Sequence, residues 1–210
     1  MRDQPGCGLV FVVSAPSGAG KTSLVKALLQ QDSRLVVSVS HTTRPQRQGE
    51  QNGVNYHFVS NSEFDDMVAN GDFLEHAKVF GHQYGTARAS LDDQLASGRD
   101  VVLEIDWQGA EQIRRAYPQC ISIFILPPSR QALAQRLQTR GQDSAEVMAQ
   151  RTAKAVEEMT HHASFDFLVV NDDFDSAVAD LKNVIDASRL GNAPQRHALA
   201  SLLDELLKTP

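Results

Sequence analysis

The residues best equipped for chemistry lie near the start of the chain. Ala15-Pro16-Ser17-Gly18-Ala19-Gly20-Lys21-Thr22 has the spacing A/G-x-x-x-x-G-K-S/T, which reads as a phosphate-binding loop. Gly18 and Gly20 let the backbone turn tightly and bring its N–H groups against phosphate oxygens. A helix that starts near Gly20 adds its free N–H groups and the positive end of its dipole. Lys21 can reach β- and γ-phosphates, and Thr22 can offer its hydroxyl to Mg²⁺. Ala15 replaces the strict glycine, a minor departure because a small residue suffices. An ordinary Gly-rich turn is the competing reading, and the strand-then-helix context weighs against it.

A second cluster is Ser40-His41-Thr42-Thr43-Arg44-Pro45-Gln46-Arg47-Gln48-Gly49-Glu50. Arg44 and Arg47 are stiffened by Pro45 and follow a strand end. Guanidinium forks bind phosphate bidentately. Alone, such a turn reads as surface loop; beside a phosphate loop, it reads as a second anion site. Tyr56 and Tyr84 could add phenolic donors, although buried core tyrosines would look the same.

These residues need a frame. The apolar run before the loop, Leu35–Ser40, Asp100–Asp106, Ile121–Leu126 and Phe167–Val170 read as strands, most of them buried. Helices fit Lys21–Gln31, Arg88–Ser97, Gln108–Ala116, Gln131–Arg140 (capped by Ser129), Ser144–His161 and Asp175–Leu190. This alternation implies an α/β fold, a parallel sheet with helices on both faces. Arg44–Gly85 breaks the rhythm with short pieces at Tyr56–Val59 and Phe73–Phe80 around a helix at about Glu63–Asn70, as in a small α+β insertion. Arg140–Ser144 separates two Arg-bearing helices and suits a mobile lid. Arg189–Pro194 reads as a linker. His197–Lys208 reads as an amphipathic helix with Leu199, Leu202, Leu203, Leu206 and Leu207 on one face, either docked on its own domain or self-associating.

The 210 residues suffice for one well-buried domain with an insertion. A net charge of −6 argues against general nucleic-acid binding, but not against a nucleotide held by local arginines. Cys7 and Cys120 form no metal-ligand or C-x-x-C spacing, which fits a reducing cytoplasm. The run Leu9–Ala15 is not expected to be a signal-peptide core, because the phosphate loop overlaps any cleavage site. No window approaches the roughly twenty apolar residues that cross a membrane.

The chain resembles guanylate kinase, the bacterial enzymes most of all. The resemblance rests on Ser14–Thr22 (SAPSGAGKT), Ser38–Arg47 (SVSHTTRPQR), Glu50–Phe58 (EQNGVNYHF), Phe73–Glu75 (FLE), Tyr84–Thr86 (YGT), Leu103–Gly109 (LEIDWQG), Arg136–Gly141 (RLQTRG) and Val170–Asp173 (VNDD). It implies a three-layer nucleotide-kinase core at 7–40 and 88–188, an inserted GMP-binding subdomain at 41–87 and a helical lid at about 137–150, followed by a linker and amphipathic helix at 189–210.

By the same resemblance, ATP binds Ser14, Ala15, Pro16, Ser17, Gly18, Ala19, Gly20, Lys21 and Thr22, with Asn171 near the adenine. Arg44, Arg47, Tyr56 and Tyr84 match the holders of the GMP phosphate. Glu75 matches the carboxylate that reads guanine, and Ser40, Thr86 and Asp106 match the remaining contacts on the base side. Lys21 and Arg44, with the lid and helix arginines Arg136, Arg140 and Arg151, form the catalytic set. Glu104 falls near Mg²⁺ and its waters, while Thr22 meets the metal through the nucleotide. GMP, and dGMP beside it, would accept a phosphoryl group from ATP, with no nucleic acid or membrane involved.

The implied chemistry is coherent. Guanine presents N1–H and a 2-amino group that one carboxylate can accept together, whereas adenine offers a bare acceptor. Two other classes stay open. A scaffold module of this fold would bind phosphopeptides without catalysis, yet Lys21, Thr22 and Glu75 are all intact. A related kinase would use another phosphorylated acceptor, which Glu75 with Ser40 and Thr86 argues against.

Overall fold

The computed structural model describes residues 8–79, 81–139 and 145–208, with backbone alone for Thr139 and 145–149. Cys7, Phe80, Arg140 and the 140–144 stretch lie outside the described residues.

The chain forms a three-layer α/β core. Its centre is Val10–Ser14 (β1), all five residues buried. Side chains alternate across a strand. Phe11 and Val13 therefore enter one apolar cluster, and Val10 and Val12 the other. The first cluster is closed by Lys21–Gln31 (α1) and Phe174–Arg189 (α7), through Leu24, Leu28, Leu181 and Ile185. The second is closed by Arg88–Ala96 (α3) and Trp107–Ala116 (α4), through Leu91 and Ile113. Burial on both faces explains why these strands read as unbroken apolar runs.

The core sheet is parallel, in the order β2-β7-β1-β8-β9, with β2 at Leu35–Val37, β7 at Asp100–Glu104, β8 at Ile121–Leu126 and β9 at Phe167–Val170. Two expectations need correction here. β2 stops at Val37, not Ser40, because the chain leaves this sheet after Ser38 to reach His41–Thr42 (β3) in another. β9 is an edge strand, opposite the β2 edge, and of its residues only Val169 is buried, while Phe167, Leu168 and Val170 stay exposed.

The second sheet has the order β4-β3-β6-β5, with β4 at His57–Phe58, β5 at Phe73–Val79 and β6 at His82–Ala87. It carries the helix Asn61–Asn70 (α2). Ser60 and Glu63 form a reciprocal capping box at its start, and Gly71 ends it in the left-handed conformation. The insertion is pinned to the core where the Gln112 side chain of α4 pairs with both backbone groups of His76, at 3.1 and 2.9 Å.

Arg130–Thr139 (α5) begins at Ser129, whose hydroxyl accepts from Ala132 N–H at 3.0 Å. Ala145–Met159 (α6) passes into a 3₁₀ turn at Thr160–Ser164, so the helix expected to reach His161 tightens two residues earlier. The C-terminal segment differs more. Arg189 ends α7, and the expected linker instead opens Asn192–Ala198 (α8). The single amphipathic helix is two, broken at Leu199 before Ala200–Leu206 (α9). Leu202, Leu206 and Leu207 face solvent.

Arg189 ties this end of the core together. Its guanidinium pairs with Asp32 at the end of α1, with Asp100 at the start of β7 (2.7 Å) and with Asp186 (3.1 Å). Asp100 also accepts from Leu9 N–H at 2.8 Å.

Candidate functional site

The phosphate loop joins β1 to α1. Gly18 (φ 91°) and Gly20 (φ 97°) are left-handed, a conformation that L side chains rarely adopt. Gly20 caps α1 without a side-chain bond, so the first amides of the helix face outward. Space is also restricted. A Cβ on Gly18 would stand 3.0 Å from Leu137, and one on Gly20 would stand 2.4 Å from Nδ2 of Asn171.

Three elements hold this loop in shape. Asn171, just after β9, donates from its side-chain amide to the Ala19 carbonyl at 2.7 Å. Arg136 on α5 donates to the Asn171 carbonyl at 2.9 Å, while its other terminal nitrogen, Nη1, is buried and without a hydrogen bond. Glu158 on α6 accepts from Ser17 N–H at 3.0 Å. Asn171 thus touches the loop itself. Glu158 is absent from the sequence-level assignment, because nothing in a helical glutamate reveals a backbone amide waiting across the fold.

Lys21 donates from Nζ to the Ile105 carbonyl at 3.0 Å. Withdrawal from water lowers its pKa, against the opposing pull of Glu104, Asp106, Glu158 and Glu75. A cavity of about 200 Å³ lies beside it, lined by Lys21, Ser40, Tyr56, Glu75, Tyr84, Glu104 and Asp106 among others. The core supplies Lys21, Glu104 and Asp106, and the insertion supplies the tyrosines and Glu75.

Glu75 is the most constrained of these groups. The residue is 3% exposed, and Oε1 accepts from the Thr86 hydroxyl at 2.7 Å. Burial pushes its pKa up to about 7, against the Thr86 hydrogen bond. Asp106 spends one carboxylate oxygen on the N-cap of α4, accepting from Gly109 N–H at 2.9 Å. Trp107 follows it and stacks flat on His161, ring centroids 3.5 Å apart.

Arg44 is buried and anchored. It pairs with Glu50 at 2.7 Å, donates to Pro45 O at 2.7 Å and lies over the Tyr56 and Phe58 rings. Glu50 also accepts from Arg47 N–H at 2.8 Å, which folds the turn around one carboxylate. The acid closing the Arg-Pro-x-Arg turn was a legible clue to that role. Arg47 itself is exposed, as is Thr22 in the first turn of α1. Arg151 is half-buried on α6. Among the described residues, no three His, Cys, Asp or Glu side chains group as a metal site.

Such an arrangement can hold one anion on a helix N-terminus beside a lysine and read a donor-bearing ring with a buried carboxylate. Comparison with known proteins agrees with this chemistry. The family model for guanylate kinase matches residues 8–188. A guanylate kinase of Alkalilimnicola ehrlichii is 57% identical over 200 residues, covering 95% of this chain and 98% of that protein. One from Methylococcus capsulatus is 56% identical, with the same coverage. A crystal structure of guanylate kinase from Anaplasma phagocytophilum superposes with a TM-score of 0.75 at 33% identity, covering 89% of each chain.

Proposed function

The chain belongs to the guanylate kinase family, and from that premise we propose how its residues divide the labour of the family's reaction, ATP + GMP ⇌ ADP + GDP. The protein is an ATP:GMP phosphotransferase. ATP lies with its phosphates on the loop from Ser14 to Thr22. GMP occupies the cavity between core and insertion. Its phosphate meets Arg44, Arg47, Tyr56 and Tyr84, and its base meets Glu75, Ser40, Thr86 and Asp106.

The observation that carries this assignment is the buried Glu75 carboxylate, fixed by Thr86 and facing the same cavity as Lys21. A site built from buried polar groups can discriminate by roughly 10⁴-fold, where an apolar pocket cannot.

No dedicated base is required, because the attacking oxygen of the GMP phosphate is already anionic. The obstacle is repulsion between two anions. Lys21 and the arginines 136, 140 and 151 neutralise the transferred group, and Arg44 with Arg47 aligns the acceptor. The unbonded, buried Nη1 of Arg136 supports an anion-binding role. Closure of the lid at about 137–150 and of the insertion at 41–87 excludes water.

The donor set fits a Mg²⁺ that arrives on the nucleotide: the exposed Thr22 hydroxyl can ligate it, and Glu104 can hold its waters. When bound, the metal would supply positive charge against the charge that develops on the transferred group. We propose dGMP as a second acceptor, on the family resemblance alone. No described helix is long and apolar enough to cross a membrane. Separately, the family's nucleotide substrates lead us to propose the cytoplasm as its place of work. The exposed leucines of α9 are the face on which self-association would be built.

The test is ADP release with MgATP and a panel of GMP, dGMP, AMP, CMP and UMP. Turnover with GMP and dGMP alone is expected. Turnover with AMP at a comparable rate would remove Glu75 as the reader of the base.

A further inference from the structure

Gly109 is an anomaly of sequence and place. It is the third residue of α4, in a helical conformation that does not need glycine, and glycine is among the poorest helix formers. Its N–H is engaged by Asp106 at 2.9 Å, so it has no donor free for another group. What it offers is room. A Cβ at this position would stand 2.5 Å from Oε2 of Glu75, 3.1 Å from its Cδ and 3.3 Å from Cβ of Ile105.

Oε1 of Glu75 is tethered by the Thr86 hydroxyl at 2.7 Å, and Oε2 lies where a side chain at 109 would need to stand. Any side chain at 109 drives the carboxylate into the cavity or off Thr86. A buried reader gains its selectivity from position, and a displacement of about 1 Å can cost roughly 10²-fold.

We infer that Gly109 is a specificity-determining position for the acceptor base, acting through Glu75 by reserving the space in which its carboxylate lies. This rests on the reading that Glu75 meets guanine. Gly109 is a positioning residue and touches no substrate in this scheme.

The experiment compares Gly109→Ala, Glu75→Gln, Glu75→Ala and the double variant Glu75→Ala/Gly109→Ala. Steady-state kinetics with MgATP and either GMP or AMP are read beside melting temperature. For Gly109→Ala, KM for GMP should rise roughly 10- to 100-fold and the GMP-over-AMP ratio should fall. KM for ATP should stay within about twofold, and the melting temperature should fall by only a few degrees, because the helix propensity of alanine partly offsets the lost Thr86 bond. A glycine with only a local helical role predicts unchanged GMP kinetics, and that result overturns the inference. In the Glu75→Ala background, adding Gly109→Ala should change nothing further; an additive loss also overturns it. If Gly109→Ala does not fold, a folded double variant supports the steric claim, whereas an unfolded one refutes it. Should Glu75→Gln leave the base preference intact, the reading of Glu75 itself fails. Should Glu75→Gln alter it while Gly109→Ala does not, only the present inference fails.

Discussion

Glu158, near the end of α6, accepts a 3.0 Å hydrogen bond from the backbone N–H of Ser17 in the phosphate loop. Arg151 lies seven residues earlier, about two turns away on the same face of the helix. The contact therefore sets where this arginine-bearing helix stands relative to the loop. Burial holds the Glu158 pKa above the usual carboxylate range, against its bond to Ser17. Glu158→Ala is expected to raise KM for ATP and lower kcat, each by about tenfold, the scale of one lost charge-assisted bond. Glu158→Gln keeps an oxygen acceptor and should recover most of the loss. Steady-state kinetics on the pair decides between hydrogen bond and charge.

Lys21→Ala should lower turnover by roughly 10²- to 10³-fold or more, as expected when one donor to the transferring group is lost. GMP affinity, measured by calorimetry, should change little. A collapse of GMP binding would show that the two sites are not separable at Lys21.

Glu75 brings a pH signature whose sign is fixed. The folded protein holds its proton up to about 7, against an ordinary value of 4.5. Between these values the native state binds a proton that the unfolded chain has lost, so stability falls as pH rises through that window. Glu75→Gln should flatten this part of the pH–stability curve in denaturant titrations. Guanine donors need the ionised carboxylate, so KM for GMP should fall as pH rises toward 7 and level off above it. The titration of GMP's own phosphate is common to both proteins, and the wild-type minus Glu75→Gln difference isolates the carboxylate.

Arg189→Met removes the cation shared by Asp32, Asp100 and Asp186. Asp32 and Asp100 are about 10% exposed at their side chains and would lose their nearest cation, Asp100 keeping the Leu9 N–H and Asp32 keeping Arg34. Breaking this partly buried network costs about 2–3 kcal/mol, below the cost for a fully buried pair. For a chain of this size the melting temperature should fall by about 10 °C. Specific activity at 25 °C should be retained, because no atom of this network lies in the cavity between core and insertion.

The strands and helices around the phosphate loop were legible because each obeys a local rule. β1 is apolar throughout since both faces are covered, and α1 begins where Gly20 turns the chain. What escaped depends on neighbours. Phe167–Val170 is as apolar as a central strand, yet lies at an edge, and edge position is a property of the sheet. Gly191 and Pro194 suggested a linker, but Pro194 occupies the first turn of α8, where its missing N–H is not needed. In the site, Lys21 and the arginine turn could be named from their own spacing, and Glu75 only through the family resemblance, since alone it reads as a strand residue facing solvent. Glu158 could not, because it acts through an amide on another element; Gly109 closes the quoted LEIDWQG run, but a role exerted through the absence of a side chain is not readable there.

The stacking of Trp107 on His161 has a practical consequence. Trp107 is the chain's single tryptophan, adjacent in sequence to Asp106 in the cavity wall. Its partner sits in the turn that directly follows α6. The indole is thus a native optical gauge, lodged between the cavity wall and the turn that follows the arginine-bearing helix. Its emission reports on both without any dye attached, and slippage of the stack during turnover would be readable in a stopped-flow trace.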